Sequence, residues 1–230
     1  MIEAVWRRAR EASRIDTLVI ATDDDRIADE GRRIGAQVAM TSSEHPSGTD
    51  RAAEVLQQQA NEHSVVLVVQ GDEPLITPSS LDQLIEALGK EGAGMATLAE
   101  PLHIDDELFD PNVVKLVTND RGEALYFSRS PIPYFRGSAS RLESDFRSQL
   151  GREDRTIYRK HQGIYAYTAE TLQRLTALPV APLERHEGLE QLRALAAGIR
   201  IQVVDSDFQS FSVDTPDDLK RVAAMRTEAS

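Results

Sequence analysis

Cysteine is absent from all 230 residues, which excludes disulfides and thiolate metal centres and favours the cytoplasm. Long apolar runs are also lacking, and none approaches the roughly 20 residues that a membrane span needs. The opening Met-Ile-Glu-Ala-Val-Trp-Arg-Arg has neither the apolar stretch nor the small-residue cleavage site of a signal peptide. Basic residues are in deficit: 26 Lys and Arg against 38 Asp and Glu leave a net charge of −12, which repels nucleic-acid polymers and anionic membranes. A nucleotide can still bind such a chain where local cations, a metal or backbone N–H groups offset its phosphates. A glycine-rich phosphate loop is missing too. Gly92-Ala-Gly94 is too short and leads into a strand, which argues against a nicotinamide dehydrogenase.

What is present reads as one α/β domain with an inserted lobe. Ile2, Val5, Trp6 and Ala9 recur at helical spacing, so the chain opens in an amphipathic helix. Strands are expected at 17–22, 37–40, 65–69 and 94–99, with helices at 24–34, 49–59 and 79–88 between them. That alternation predicts a mostly parallel, doubly wound sheet. Val65-Val-Leu-Val-Val69 is the most apolar run and is expected to be a central parallel strand. The second half differs. Segments 113–118 and 124–128 flank Asn-Asp-Arg-Gly as an antiparallel hairpin, and 131–155 reads as a long excursion. A strand at 163–167, one helix over 183–197 and a strand at 201–204 follow. Thr215-Pro-Asp-Asp218 then opens a last helix as a capping box. The expected division is a single domain over 1–230 with a substrate and dimer lobe at 111–167.

Several residues could carry chemistry. Gln70-Gly-Asp72 follows the strongest strand, at the end where open α/β sheets bind ligands. Asp72 there could meet a divalent metal, or it could simply be a turn residue. Asp214 could be a second metal carboxylate, or only a favourable charge at a helix N-terminus. Glu44-His-Pro-Ser-Gly-Thr-Asp-Arg51 offers the Ser47 and Gly48 amides, a Thr49 cap and the Arg51 guanidinium for a base or phosphate, and reads equally as a capped helix start. Arg129 ends a strand and matches a carboxylate. His161 and Tyr165 suit sugar hydroxyls, or a structural role. Glu187, Glu190 and Gln191 fall on adjacent faces of the 183–197 helix, with Leu189 and Leu192 toward the core.

Taken together the motifs resemble the 3-deoxy-manno-octulosonate (Kdo) cytidylyltransferases, or CMP-Kdo synthetases. The matching pieces are His45-Pro-Ser-Gly-Thr-Asp-Arg51, Val69-Gln-Gly-Asp-Glu-Pro74, Phe109-x-Pro-Asn-x-Val-Lys115, Tyr126-Phe-Ser-Arg129, His161-x-Gly-Ile-Tyr165, Leu189-Glu-Gln-Leu-Arg193 and Val213-Asp-Thr-Pro216. The resemblance implies a nucleotide-diphospho-sugar transferase-like fold and transfer of CMP from CTP to Kdo for lipopolysaccharide synthesis. It also implies magnesium as cofactor, a homodimer and a cytoplasmic location. By motif, Asp72 and Asp214 resemble the catalytic metal ligands. His45, Ser47, Gly48, Arg51 and Gln70 resemble the CTP contacts, and Arg129, His161, Tyr165, Glu190 and Gln191 the Kdo contacts. The family's opening strand and phosphate-wrapping loop have no counterpart ahead of Met1-Ile2, so the sequence reads as N-terminally truncated and less stable than complete relatives. Another acidic sugar (8-amino-Kdo or a sialic acid) and a non-catalytic remnant are the alternative readings.

Overall fold

The computed structural model describes residues 1–59, 64–89, 92–136, 156–211, 213 and 220. The first half alternates as the sequence pattern demands, through α1 (Ile2–Ala9), β1 (Val19–Thr22), α2 (Asp25–Arg33), β2 (Gln37–Met40), α3 (Gly48–Gln58), β3 (Val65–Val68), α4 (Pro78–Leu88) and β4 (Met95–Pro101). The second half holds α5 (Ile104–Glu107), β5 (Lys115–Thr118), β6 (Ala124–Ser128), β7 (Arg159–Thr168), α6 (Ala169–Thr176), α7 (Pro182–Glu187), α8 (Gln191–Ala196) and β8 (Ile201–Asp205). The helix starts follow from caps. Asp24 accepts the Arg26 N–H at α2, Ser47 the Asp50 N–H at α3, and Thr77 the Ser80 N–H ahead of Pro78 at α4. The cap of α3 is therefore Ser47 rather than Thr49.

β1 and β2 form a parallel pair, and six strands form a mixed sheet in the order β6-β5-β7-β4-β8, with β3 also on β7. β3, β4 and β8 run in one direction, and the long β7 passes between β3 and β4 in the other. The apolar run at 65–69 is thus antiparallel to its neighbour rather than a central parallel strand. Among the described residues one edge of β3 and one edge of β1 carry no partner strand. Val65, Val66 and Leu67 are accordingly only half-buried, which leaves polar edges and apolar faces partly open.

Alternation along the central strands buries both faces of the sheet. Met95 and Ala99 of β4 and Tyr167 of β7 pack with Ala53 and Leu56 of α3, Leu172 of α6 and Leu192 of α8. Ala96, Leu98, Ile164 and Ala166 face α4 through Leu81, Leu84 and Leu88. A separate small cluster of Leu102, Leu108 and Tyr158 underlies the start of the second lobe. The expected helix over 183–197 is two helices. Gly188 adopts the left-handed conformation (φ 64°, ψ 39°) and ends α7, and α8 starts three residues later. Leu189 and Leu192 are buried as expected. The expected helix opening at Thr215 and most of the 131–155 excursion lie outside the described residues.

Candidate active site

One edge of β7 follows β4 throughout, while its other edge is shared. β3 takes Tyr165 to Thr168, and β5 takes only Arg159 and Lys160. Between these two partners lies a stretch where β7 also slips register against β4, Leu98 facing Gln162 and Thr97 facing Tyr165. A bulge re-aims side chains, and β3 and β5 leave a gap along this edge of β7 between Lys160 and Tyr165, the crevice of this sheet. His161 and Tyr165 flank this stretch.

Thr97 organises the bulge. Its hydroxyl oxygen lies 3.1 Å from Gln162 O, 2.9 Å from Ile164 O and 3.0 Å from His161 Nε2. The single hydroxyl proton serves the carbonyls, which can only accept, so the imidazole must donate from Nε2 and keep Nδ1 as an acceptor. Burial pushes the ring down to about 3, which keeps it neutral at physiological pH. It packs edge-on against Phe127 at 5.1 Å and tilted against Tyr165 at 5.4 Å between ring centroids. Burial likewise drives the phenols of Tyr165 and Tyr167 upward, so both act as neutral hydrogen-bonding groups. The folded His161 binds fewer protons than the unfolded one, whose ordinary value is 6.5. Stability is therefore lost as pH falls below 6.5. In NMR spectra the His161 ring signals are expected not to move between about pH 5 and 8. A titration midpoint near the ordinary value would show a solvated ring and undo this assignment.

The loop at the start of α3 meets the same cluster. Tyr167 Oη lies 3.4 Å from Thr49 Oγ1. Thr49 and Ser47 donate to the two oxygens of Glu190, at 3.1 and 3.3 Å. Burial raises the Glu190 carboxyl, opposed by the Thr49 hydroxyl. Glu190, expected on the sugar side, thus sits against the loop at the start of α3. Its neighbour Gln191 is 4% exposed, and its Nε2 has no partner among the described residues. A buried donor left without a partner costs about 1–3 kcal/mol. Gln70 abuts the same loop: a Cβ added to Gly48 would stand 3.3 Å from Gln70 Nε2. His45 and Arg51 are engaged within the protein. The ring bonds Glu54, and the guanidinium bonds Thr41 and, at 2.9 Å, Asp23, which ties the ends of β1 and β2 to α3.

Asp72 lies in the turn after β3, as the sequence suggests. Its carbonyl accepts the Val213 N–H at 3.2 Å, and the next side chain, Glu73, accepts from Ser210 Oγ at 2.8 and 2.9 Å. Burial pushes the Glu73 carboxyl up to about 7. The segment leading to Asp214 is thereby fastened to the Asp72 turn, while Asp214 itself lies outside the described residues. No group of three or more His, Asp or Glu among the described residues could hold a metal by itself. Hard cations such as magnesium are ordinarily carried by one or two carboxylates plus substrate phosphates, and the Asp72 turn fits that donor set.

At the far end of the crevice, Arg129 closes β6. Its backbone N–H donates to Glu187 Oε2 at 2.9 Å, its Nε to Glu187 O at 2.7 Å and its Nη1 to Pro111 O at 2.8 Å. Ser128 Oγ reaches the same carboxylate at 2.7 Å. Sequence reasoning placed Glu187 on a polar helix face and gave neither Glu187 nor Thr97 a partner. The first binds a strand 58 residues away, a pairing with no local signal. The second lies in the family-like piece Ala96-Thr-Leu98, which carries no sign of what its hydroxyl meets.

The cytidylyltransferase family profile matches residues 1–201. Curated relatives include the 3-deoxy-manno-octulosonate cytidylyltransferases of Trichlorobacter lovleyi (44% identical, covering 96% of this chain and 86% of that protein) and Pseudomonas syringae pv. tomato (45% identical, covering 96% and 86%). A solved structure of CMP:2-keto-3-deoxy-manno-octonic acid synthetase complexed with CTP superposes with a TM-score of 0.86 at 35% identity, covering all of this chain and 88% of that one. The 4-diphosphocytidyl-2C-methyl-D-erythritol synthase of Anaerococcus prevotii, at 15% identity and a TM-score of 0.60, shares the fold. The chain belongs to the cytidylyltransferase family, with the 3-deoxy-manno-octulosonate cytidylyltransferases as its relatives.

Proposed function

We propose that this chain transfers CMP from CTP to Kdo, releasing pyrophosphate. The observation that carries this reading is the contact of the two half-sites: Glu190 joins the Ser47–Thr49 loop to the crevice bearing Tyr165, His161 and Gln191. The anomeric hydroxyl of Kdo attacks the α-phosphorus, the bond to the β-phosphate oxygen breaks, and the hydroxyl proton leaves to solvent. Such transfers depend mainly on in-line positioning and charge neutralisation.

On the nucleotide side, Gln70, the amides of Ser47 and Gly48, and His45 and Arg51 border the binding surface. On the sugar side, Arg129 receives the carboxylate. Neutral His161 accepts a hydroxyl hydrogen at Nδ1, Tyr165 offers its phenol, and Gln191 Nε2 donates to an oxygen. Asp72 and Asp214 would hold magnesium, which when bound would offset the phosphate charge. No side chain here is assigned as general base, since His161 and both tyrosines resist the required charge change. The whole of 1–230 acts as one nucleotidyltransferase domain, with 111–167 as its sugar and dimer lobe. A homodimer through the β6 edge fits the exposure of Leu125 (59%), and the reaction is cytoplasmic. The test is pyrophosphate release from CTP and magnesium with Kdo, 8-amino-Kdo or sialic acid offered separately. Kdo is expected to give the highest kcat/KM, and a higher value for either competitor would move the substrate assignment to it.

A further inference from the structure

Lys115 is fully buried in β5, between β6 and β7, and plays no part in the transfer described above. An ammonium has three N–H donors, and here they go to three backbone carbonyls: Asp110 O at 2.9 Å, Val113 O at 2.6 Å and Arg129 O at 2.6 Å. A buried charge is tolerated only where its donors are satisfied in this way. Those acceptors lie on the turn before β5 and on the residue that ends β6. The same turn supplies Pro111 O to Arg129 Nη1, and Glu187 takes the Arg129 backbone N–H and Nε. The guanidinium is therefore fixed through two routes. One is Glu187, which holds it directly. The other is Lys115, which welds the carbonyl-bearing turn to the Arg129 backbone. Arginine suits bidentate carboxylate recognition because its fork is rigid, and that benefit is realised only if the fork is aimed before the ligand arrives.

We propose that Lys115 is a positioning residue for sugar-acid recognition, locking the backbone and turn that aim Arg129 at the substrate carboxylate. The proposal rests on the reading of Arg129 as the carboxylate contact. Lys115 touches neither substrate, and a displacement of about 1 Å in a positioning group can cost 10²-fold in rate.

The test compares wild type, Lys115→Met and Lys115→Gln by steady-state kinetics with CTP, Kdo and magnesium. The 15N–1H signal of Arg129 Nε–H is followed in the substrate-free protein and assigned by its loss in Arg129→Lys. Lys115→Met is expected to lower kcat/KM for Kdo by about 10²-fold, to leave KM for CTP unchanged, and to speed solvent exchange of the Arg129 signal. Equal rises in both KM values, or unchanged Kdo kinetics with a slow-exchanging Arg129 signal, would overturn the proposal. If Lys115→Met does not fold, Lys115→Gln, which keeps two N–H donors, is read by the same criteria. A wild-type protein that turns over no Kdo would sink the functional reading instead, and the substrate-free Arg129 signal would still decide the role of Lys115.

Discussion

Asp72→Asn is expected to lower kcat for CMP transfer by about 10²–10³-fold, the scale of losing one preorganised charge-stabilising group, with the fold retained. The fold should survive because the turn is held by its backbone: the Asp72 carbonyl takes the Val213 N–H, and the neighbouring Glu73 takes the Ser210 hydroxyl. Asparagine keeps the size and the carbonyl contact and removes only the carboxylate charge. The magnesium concentration for half-maximal rate is expected to rise in parallel, since a neutral amide is a poorer partner for a hard cation. The assay is pyrophosphate release across a magnesium series, with circular dichroism as the control for folding. A wild-type rate with a wild-type magnesium dependence would remove Asp72 from the metal site and return it to the role of a turn residue.

Arg193→Met is expected to destabilise the protein by about 3–5 kcal/mol, the cost of leaving a buried partner charge uncompensated. Arg193 Nε and Nη2 contact the two Glu184 oxygens at 2.9 and 2.5 Å, and both side chains are about nine-tenths buried. Glu184 also accepts the Ala181 N–H at 2.9 Å, closing the start of α7. Burial pushes the Glu184 carboxyl up, but Arg193 and that N–H outweigh it and hold the group below its ordinary 4.5. A lowered carboxyl contributes stability that is present above the unfolded value and lost as pH falls through the folded one. The wild-type advantage over Arg193→Met should therefore shrink on acidification. Denaturant unfolding of wild type, Arg193→Met, Glu184→Gln and the double variant gives the coupling directly. A single-variant loss below about 1 kcal/mol would be the behaviour of an exposed pair and would refute the buried-pair reading. The consequence for function is local, because α7 carries Glu187 and α8 begins with Gln191, so loosening this pair loosens both ends of the crevice.

Much of the fold was legible because periodicity reports burial. Strand alternation placed β1, β2, β4, β6 and β8 within a residue or two, while the cap of α3, read as Thr49, is Ser47. The same signal misled at 65–69. An apolar run says how much a strand tends to be buried, not which neighbour it pairs with, and β7 enters from about 100 residues later. The helix over 183–197 broke at Gly188, whose missing Cβ permits the left-handed turn. Leu189 and Leu192 are buried all the same. The helix at Ala169–Thr176 went unread in the sequence.

The site was legible only as a set of motifs. Asp72 stands at the strand end that the sequence gives it, and His161 and Tyr165 share the crevice. Their surroundings come from pairings that no local pattern encodes: Glu190 with Ser47 and Thr49 across more than 140 residues, Glu187 with Arg129, and Thr97 with the bulge beside His161. The tautomer of His161 follows from that last contact alone. Lys115 enters the sequence reading only as the last residue of the piece Phe109-x-Pro-Asn-x-Val-Lys115, with no sign of its burial. Its three carbonyl partners come together only when the turn before β5 and the end of β6 are folded against each other.

The most direct measurement is 31P NMR of CTP, Kdo and magnesium mixed with this chain. The expected result is a new phosphodiester signal of CMP-Kdo appearing in step with pyrophosphate, dependent on Kdo and lost with Arg129→Ala. Unchanged CTP with the folded protein, or pyrophosphate release indifferent to Kdo, would contradict the assignment of the crevice as a Kdo site.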